Sequence, residues 1–294
     1  MIYFLVVNYY STPLVEKLMV SIFLNQEESC QVIIVNNSPD DRSIHRLSSD
    51  SIIILEAGEN LGFGKGCNLG LNWIYQQNYQ GIIWLINPDA YLGESSLKQA
   101  SLFLKNHPEV SILGTVVYQP TGEVWFGGGD FIVDNGTIIA KNYLSAGLEV
   151  EPYITVEWVT GCSLIINLKK FTNCPQFDSD YFLYYEDFDF CKRYAKEGHI
   201  IGLTKEISVI HQPSSITGTM PKAKIKHSTY SYLLTLEKHT SKLVLLYRLM
   251  RITVSALISL PKNSTISINE LKGVFGFVVS ALARLALTTN KLII

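Results

Sequence analysis

The sequence predicts an α/β fold: a mostly parallel central sheet flanked by helices, followed by a C-terminal helical segment. Three features of its first half point there. Short apolar runs recur without polar alternation, as strands covered on both faces require. Stretches of helical spacing separate these runs, the pattern of crossover connections. Several runs also stop abruptly at Asn, Asp or Ser, and open sheets of this class bind ligands beyond the carboxyl ends of their strands.

Taken in order, Ile2–Val7 is a strand that ends in Asn8-Tyr9-Tyr10-Ser11. Thr12–Leu24 is a helix, with Leu14, Leu18 and Ile22 at helical spacing and Pro13 in the first turn. Gln31–Val35 is the second strand, Asn36-Asn37-Ser38-Pro39-Asp40 its loop, and Ile52–Leu55 a short third strand. A glycine-bearing loop opens the helix Gly66–Tyr75, and Gly81–Ile86 is a fourth strand running into Asn87-Pro88-Asp89. Pro88 cannot donate to a ladder, so the strand stops there. The Asp89 carboxylate then stands at the strand's carboxyl end, suited to hold a divalent cation against a diphosphate. A plain turn is the competing reading of the same three residues.

The middle of the chain is less regular. Val110–Val117 and Gly127–Ile139 read as strands and hairpins, with Gly127-Gly128-Gly129 as a break and Asp134-Asn135-Gly136 as a turn. Trp158-Val159-Thr160-Gly161 leads into the apolar run Cys162–Ile166. A helix begins at about Glu186, acidic in its first turn, basic in its last at Lys192, Arg193 and Lys196, and capped by Gly198. Ile200–Leu203 and Ile207–Ile210 are strands, the second delivering His211 ahead of the loop Pro213–Thr219.

Composition narrows the function. Lys+Arg 24 against Asp+Glu 26 gives a formal charge of −2, which argues against a nucleic-acid partner. Five scattered cysteines without CxxC spacing argue against a zinc site or a disulfide framework, and for a reducing cytosol. Met1–Val7 enters a strand without a basic leader, so no signal peptide is expected. Hydrophobic content is 47% with 17% charged residues, and beyond residue 220 it takes the form of two long apolar runs, Lys242–Leu260 and Gly273–Leu287. The first run holds Arg248 and Arg251 and the second is short for a membrane span. Two uses remain open: helices lying in a membrane interface with their basic residues snorkelling, or a helical hairpin packed on the rest of the chain or forming a homodimer contact.

Five blocks carry a resemblance. They are Val7-Asn8-Tyr9-Tyr10-Ser11, Val35-Asn36-Asn37-Ser38-Pro39-Asp40, the N-x-G-F-x-x-G-x-N-x-G segment Asn60–Gly70, Asn87-Pro88-Asp89, and Glu186-Asp187-x-Asp189 with Arg193. In this order, over residues 2–215 and with His211 downstream, they resemble family 2 glycosyltransferases of the GT-A (nucleotide-diphospho-sugar transferase) fold, bacterial rhamnosyltransferases in particular. The resemblance implies a catalytic domain over 1–220, with a donor half of about 1–110 and an acceptor half of about 111–220, and a helical region over 221–294. It implies an inverting, metal-dependent transferase at the cytoplasmic face, moving rhamnose from dTDP-rhamnose to a glycan or lipid-linked oligosaccharide in cell-surface polysaccharide synthesis. A UDP-hexose donor is the alternative, and a catalytically silent sugar-nucleotide scaffold is the alternative of another class.

The resemblance also distributes roles. Asn8, Tyr10, Asn36, Asn60, Gly62, Phe63, Asn68 and Asn87 fall on the donor side, with Asn60 and Asn68 offering amide donors. Asp89 and His211 would hold Mn2+ or Mg2+. Thr160, Gly161 and Glu186 fall on the acceptor side, and Asp187 is the base. Asn36 and Asn87 stand where the family usually carries Asp, so Asn36 would accept from a pyrimidine N3–H without charge, and Asp89 is the metal motif's only anion. The helix dipole is expected to keep Glu186 and Asp187 ionised. Asp189 and Arg193, four apart, are placed to form an ion pair. The Asn60–Gly70 loop fits neither the P-loop nor the dinucleotide fingerprint, which argues against ATP and NAD. Each block also has a plainer reading: a strand-end histidine for His211, a glycine-softened connection for Asn60–Gly70, and a solvated acidic first turn for Glu186-Asp187.

Overall fold

A computed structural model describes residues 1–25, 28–143, 151–212 and 221–291, with side chains described to residue 286; the Pro213–Thr219 loop lies outside them. The chain forms two compact units. The first comprises Met1–Phe131, Ile138–Asp180 and Glu186–Ile216, so far as described, and the second Ile132–Thr137, Tyr181–Tyr185 and the C-terminal helices.

The first unit begins β1 (Ile2–Asn8), α1 (Thr12–Leu24), β2 (Cys30–Asn36), β3 (Ile52–Glu56), α2 (Phe63–Gln76) and β4 (Ile82–Ile86). It continues β5 (Ala90–Leu92), α3 (Ser96–Asn106), β6 (Val110–Tyr118), β7 (Val124–Phe126), β8 (Gly129–Ile132), β9 (Thr137–Ala140) and β10 (Ile154–Thr155). It closes with β11 (Ser163–Asn167), α4 (Glu186–Lys196) and β12 (Ile200–His211). The main sheet runs β10-β12-β6-β11-β4-β1-β2-β3, with β5 added on β12 and β7 on β6; β8 and β9 pair separately. β1 to β4 form the parallel part, β6 and β12 are also parallel, and β11 runs antiparallel between β4 and β6.

Neighbouring residues of one strand serve two core layers, which is why the runs do not alternate. Phe4, Val6, Ile34 and Trp84 pack with Val15, Leu18 and Ile22 of α1 and Phe103 of α3. Leu5, Ile33 and Leu85 face the other way, toward Leu71 and Ile74 of α2 and Phe190 of α4. α2 lies close on β1 because Gly66 and Gly70 are one turn apart. A Cβ at Gly70 would come within 2.1 Å of Leu5 Cδ1, and one at Gly66 within 3.0 Å of Val7 Cγ1.

Three features of the first unit differ from the sequence reading. α2 starts at Phe63 rather than Gly66, because Gly62 caps it with φ 81, ψ −178, a conformation open to glycine alone. β5 and α3 are additional elements between Asp89 and Val110. The two segments Ile200–Leu203 and Ile207–Ile210 are one strand, β12, whose register against β6 slips between Thr204 and Ser208.

The second unit holds α5 (Pro221–His239), α6 (Lys242–Ser259) and α7 (Ser264–Lys291) around Tyr181, Leu233, Leu234, Val274 and Phe277. The run Gly273–Leu287 is therefore only the later part of a 28-residue helix. Among the described residues one stretch, Ser264–Ala286, is long and apolar enough to cross a membrane by length and composition, which corrects the expectation that it is short.

Candidate active site

Asn8, Asn36 and Glu56 stand in register at the carboxyl ends of β1, β2 and β3. Their hydrogen bonds fix every amide. The Ser11 N–H can only donate and points at Asn8 Oδ1 (3.1 Å), so Asn8 presents its Nδ2 to Asn36 Oδ1 (3.2 Å). Asn36 Oδ1 also accepts from the Ser38 N–H at 3.3 Å, and Asn36 Nδ2 donates to Glu56 Oε1 at 3.1 Å and to the Asp41 carbonyl at 2.9 Å. Both lone pairs of that oxygen are thus occupied and Asn36 is 1% exposed. The role expected from the sequence, accepting from a base, meets an oxygen already used inside the protein. Glu56 feels burial, which raises its carboxyl, but Asn36, His45 and Arg42 together pull it below the usual range. Tyr10 sits above this row with φ 48, its N–H on Ser38 Oγ (2.8 Å) and its hydroxyl on the Asp40 carboxylate.

Asn37 anchors the next loop. Its Nδ2 donates to Asn60 Oδ1 and to the Gly62 carbonyl, both at 3.1 Å, and its Oδ1 accepts from the Leu61 N–H at 2.9 Å. Asn60 Oδ1 accepts further from the Gly62 N–H at 3.0 Å. The loop thereby fixes the amino end of α2 beside the strand ends, where helical N–H groups favour anions. Asn68 braces the same helix: its Nδ2 donates to the Phe177 carbonyl at 2.8 Å and its Oδ1 accepts the Phe177 N–H at 2.7 Å. That pairing stands where the sequence reading has a donor for the ligand.

Asp89 and His211 meet through β5. Ala90 pairs with His211 across β5 and β12, and the Gln212 N–H closes on the Asp89 carbonyl at 2.9 Å. His211 Nε2 then lies 3.1 Å from Asp89 Oδ1, with both side chains almost fully buried. Trp125 of β7 packs edge-on against the imidazole, ring centroids 4.4 Å apart. His211 Nδ1 is buried without a hydrogen-bond partner among the described residues. An octahedral ion with bonds of about 2.1 Å sets adjacent ligands roughly 3 Å apart, so these two side chains could share one. Carboxylate plus imidazole suits Mn2+ over Mg2+. Among the described residues no group of three His, Cys, Asp or Glu side chains gathers to hold a metal, so an ion here takes the rest of its shell from other oxygens.

The turn before β11 links this pair to the acidic helix start. Cys162 gives its carbonyl to the Asn87 N–H at 3.0 Å, and the Thr160 hydroxyl accepts the Cys162 N–H at 3.2 Å. The Gly161 N–H donates to Asp187 Oδ2 at 2.8 Å. Gly161 is small because Phe63 lies on it: a Cβ would come within 3.1 Å of the Phe63 ring and 3.4 Å of Asp187 Cβ. Burial pushes the Cys162 thiol well up, and the Asp89 and Asp187 carboxylates push it further, so both acids flank this cysteine.

Burial overrules the helix dipole at α4. Glu186 is 5% exposed and its Oε2 has no partner among the described residues; burial first, then the neighbouring Asp187, pushes its carboxyl up to about 8. Asp187 keeps part of its surface open. Burial raises it too, but the Gly161 and Phe188 N–H groups hold it back. Burial therefore acts against the expectation that the helix dipole keeps both carboxyls ionised: both are raised, Glu186 with no donor on its buried oxygen and Asp187 held back by two N–H groups. Asp189 and Arg193 form their ion pair at 2.7 Å, and Arg193 also donates to the Gln176 carbonyl at 2.8 Å.

The structure thus gathers Asp89, His211, Asn87, Thr160, Gly161 and Asp187 about one turn, and Asn8, Tyr10 and Asn36 in a row at the ends of β1 and β2. Sequence reasoning missed Asn37, Glu56, Cys162 and Trp125. Only Glu56 carried a signal, a charged residue closing an apolar strand as Asn36 closes the one before it.

The family model for glycosyl transferase family 2 matches residues 4–166. An N-acetylglucosaminyl-diphospho-decaprenol L-rhamnosyltransferase of Mycobacterium tuberculosis is 24% identical over 266 aligned residues, covering 80% of this chain and 83% of that protein. The low-salt glycan biosynthesis hexosyltransferase Agl10 of Haloferax volcanii is 22% identical over 183 residues, 62% of this chain and 58% of that one. Among solved structures, the mannosyltransferase PcManGT of Pyrobaculum calidifontis, in complex with GDP-Man and Mn2+, superposes with a TM-score of 0.57 at 13% identity, over 94% of this chain and 86% of that one. GalNAc-T7, solved with UDP, GalNAc and Mn2+, gives 0.59 at 9% identity over 81% of this chain; the match spans about half (47%) of that chain. These likenesses establish the GT-A fold.

Proposed function

The chain belongs to glycosyl transferase family 2, and from that membership we propose that it moves rhamnose, with inversion, from dTDP-rhamnose to a lipid-linked glycan acceptor at the cytoplasmic face of the membrane. The observation that carries the reading is the placement of two acids about Cys162: Asp89 with its imidazole partner, and Asp187 on the Gly161 N–H. The donor half, about residues 1–110, would seat the nucleotide along the strand ends and the diphosphate near the amino end of α2. Asp89 and His211 would hold the divalent ion, which neutralises the departing diphosphate when bound. Asp187, only partly buried and raised by burial, would take the proton of the attacking hydroxyl, the one base an inverting transfer needs. Glu186, protonated, would keep a second negative charge away from that base. Thr160 and Gly161 shape the acceptor side. The decaprenol-linked substrate named for the mycobacterial relative supports a lipid-linked acceptor, and the five free cysteines fit a reducing compartment.

A donor panel tests this. Thermal shift with Mn2+ present should rank dTDP-rhamnose above dTDP-glucose, UDP-glucose and UDP-N-acetylglucosamine, since at equal concentration a ligand that binds the native state more tightly raises the melting point further. A larger shift with a UDP-hexose moves the donor to that class, and no shift with any sugar nucleotide overturns the catalytic reading.

A further inference from the structure

Charge and exposure single out the helical unit. Residues 221–294 hold 11 Lys and Arg against 2 Asp and Glu, net +9, whereas residues 1–220 hold 13 against 24. A nearly neutral chain is therefore strongly basic in its last quarter and acidic elsewhere. On α6, Leu243, Tyr247, Met250, Val254 and Leu257 recur at steps of four, three, four and three residues, one face of a helix, and each is more than half exposed. On α7, Ile268, Phe275, Val279 and Leu282 form a second stripe, with Phe275 71% exposed. Single exposed apolar side chains are ordinary, but contiguous stripes mark an interaction surface. A groove of about 470 Å³ continues the α7 stripe, lined by Ile268, Leu271, Phe275 and Gly276 with Lys226 and Lys272 beside them.

We propose that α6 and α7 seat this unit on an anionic phospholipid bilayer, with Lys226 and Lys272 taking a headgroup phosphate at the groove. Charge complementarity selects that occupant: a surface in a region of net +9 repels a second copy of itself and attracts an anionic leaflet. The helices lie on the bilayer rather than cross it. The opposite side of α7 is tied to α5 by the Tyr230 hydroxyl on Ser280 Oγ (3.1 Å) and by the Arg284–Glu237 ion pair. A span would carry those groups, with Glu270 and Lys272, into hydrocarbon. One apolar face, one polar face and flanking lysines describe an interfacial helix. The inference draws on the lipid-linked acceptor only for its purpose; the binding itself is read without turnover.

Vesicle flotation of the full chain tests it, comparing neutral phosphatidylcholine with the same lipid carrying about 30 mol% phosphatidylglycerol, a charge density within the range of anionic leaflets. Binding should favour the anionic vesicles. The pair Lys226→Ala and Lys272→Ala should weaken that partition about thirtyfold, and high salt should weaken it in the wild type. Val254→Glu with Phe275→Glu should abolish it, and circular-dichroism melts of each variant check that the fold is kept. Equal binding to neutral vesicles, or an unchanged partition in the lysine variant, overturns the proposal. So does no vesicle binding; a concentration-dependent dimer in sedimentation that Phe275→Glu dissolves would then assign the face to a second copy. Should the donor panel fail while anionic vesicles bind, the catalytic reading falls and this one stands.

Discussion

The Gly161 N–H donates to Asp187 Oδ2 at 2.8 Å, while the adjacent Glu186 has a buried oxygen with no donor at all among the described residues. The two carboxyls are neighbours in sequence but not in environment. A hydrogen-bond donor favours the charged form and burial disfavours it, so burial raises both carboxyls while the Gly161 N–H holds Asp187 back. Asp187→Asn keeps the shape and removes the base. Transfer should fall by about 10² to 10⁴, the usual weight of general base catalysis, while donor affinity measured by calorimetry stays within about twofold. Unchanged turnover would remove Asp187 from its role.

Glu186 makes stability depend on pH in a predictable direction. Its folded carboxyl is pushed up to about 8 from an ordinary 4.5, so between those values the native state holds a proton that the unfolded state releases. Stability is full below the lower value and is lost as pH rises through the upper one. Urea unfolding at intervals from pH 5 to 8 should show this decline, and Glu186→Gln, which cannot ionise, should flatten it. A wild-type curve without slope in that window would contradict the burial argument.

How much of this was legible in the sequence depends on what each feature needs. The parallel strands could be read because burial on both faces writes itself into consecutive residues such as Phe4 and Leu5. Asp89 could be placed because Pro88 ends its strand. That His211 should meet it could not be read from spacing, since the meeting depends on β5, three residues with no periodicity of their own. The acidic start of α4 was visible, but its ionisation was not. A dipole can be inferred from a helix start, whereas the desolvation that outweighs it comes from packing, with Gly64 of α2 lying against Glu186 (a Cβ there would be 3.5 Å from Glu186 Cβ).

The Asp89–His211 pair should govern donor binding through a divalent ion. Losing an outer partner of a metal ligand commonly weakens binding 10–100-fold, and losing the ligand itself should do no less. Asp89→Ala and His211→Ala should each weaken dTDP binding by roughly tenfold or more in the presence of Mn2+, and should erase the difference between titrations with and without the ion. If the wild type binds dTDP equally well with Mn2+ and with a chelator, these two residues serve the fold alone.

Asn36 offers a sharper test, because here the family's usual residue should be the harmful one. Its Nδ2 sits 3.1 and 3.3 Å from the Glu56 oxygens and 2.9 Å from the Asp41 carbonyl, a setting that accepts a donor and rejects an anion. Asn36→Asp would face one carboxylate with another and leave the Asp41 carbonyl unpaired. The loss at pH 7 should be about 2–4 kcal/mol, from an unsatisfied buried group together with like-charge repulsion. It should shrink at pH 4, where the carboxyls begin to take up protons. Glu56→Gln added to Asn36→Asp returns a donor to the contact and should recover most of the stability, so a double-mutant cycle should report a coupling of about 1 kcal/mol or more. Additive effects would mean that Asn36 and Glu56 are neighbours without being partners, and the row of strand-end amides from Ser11 to Glu56 would lose its account.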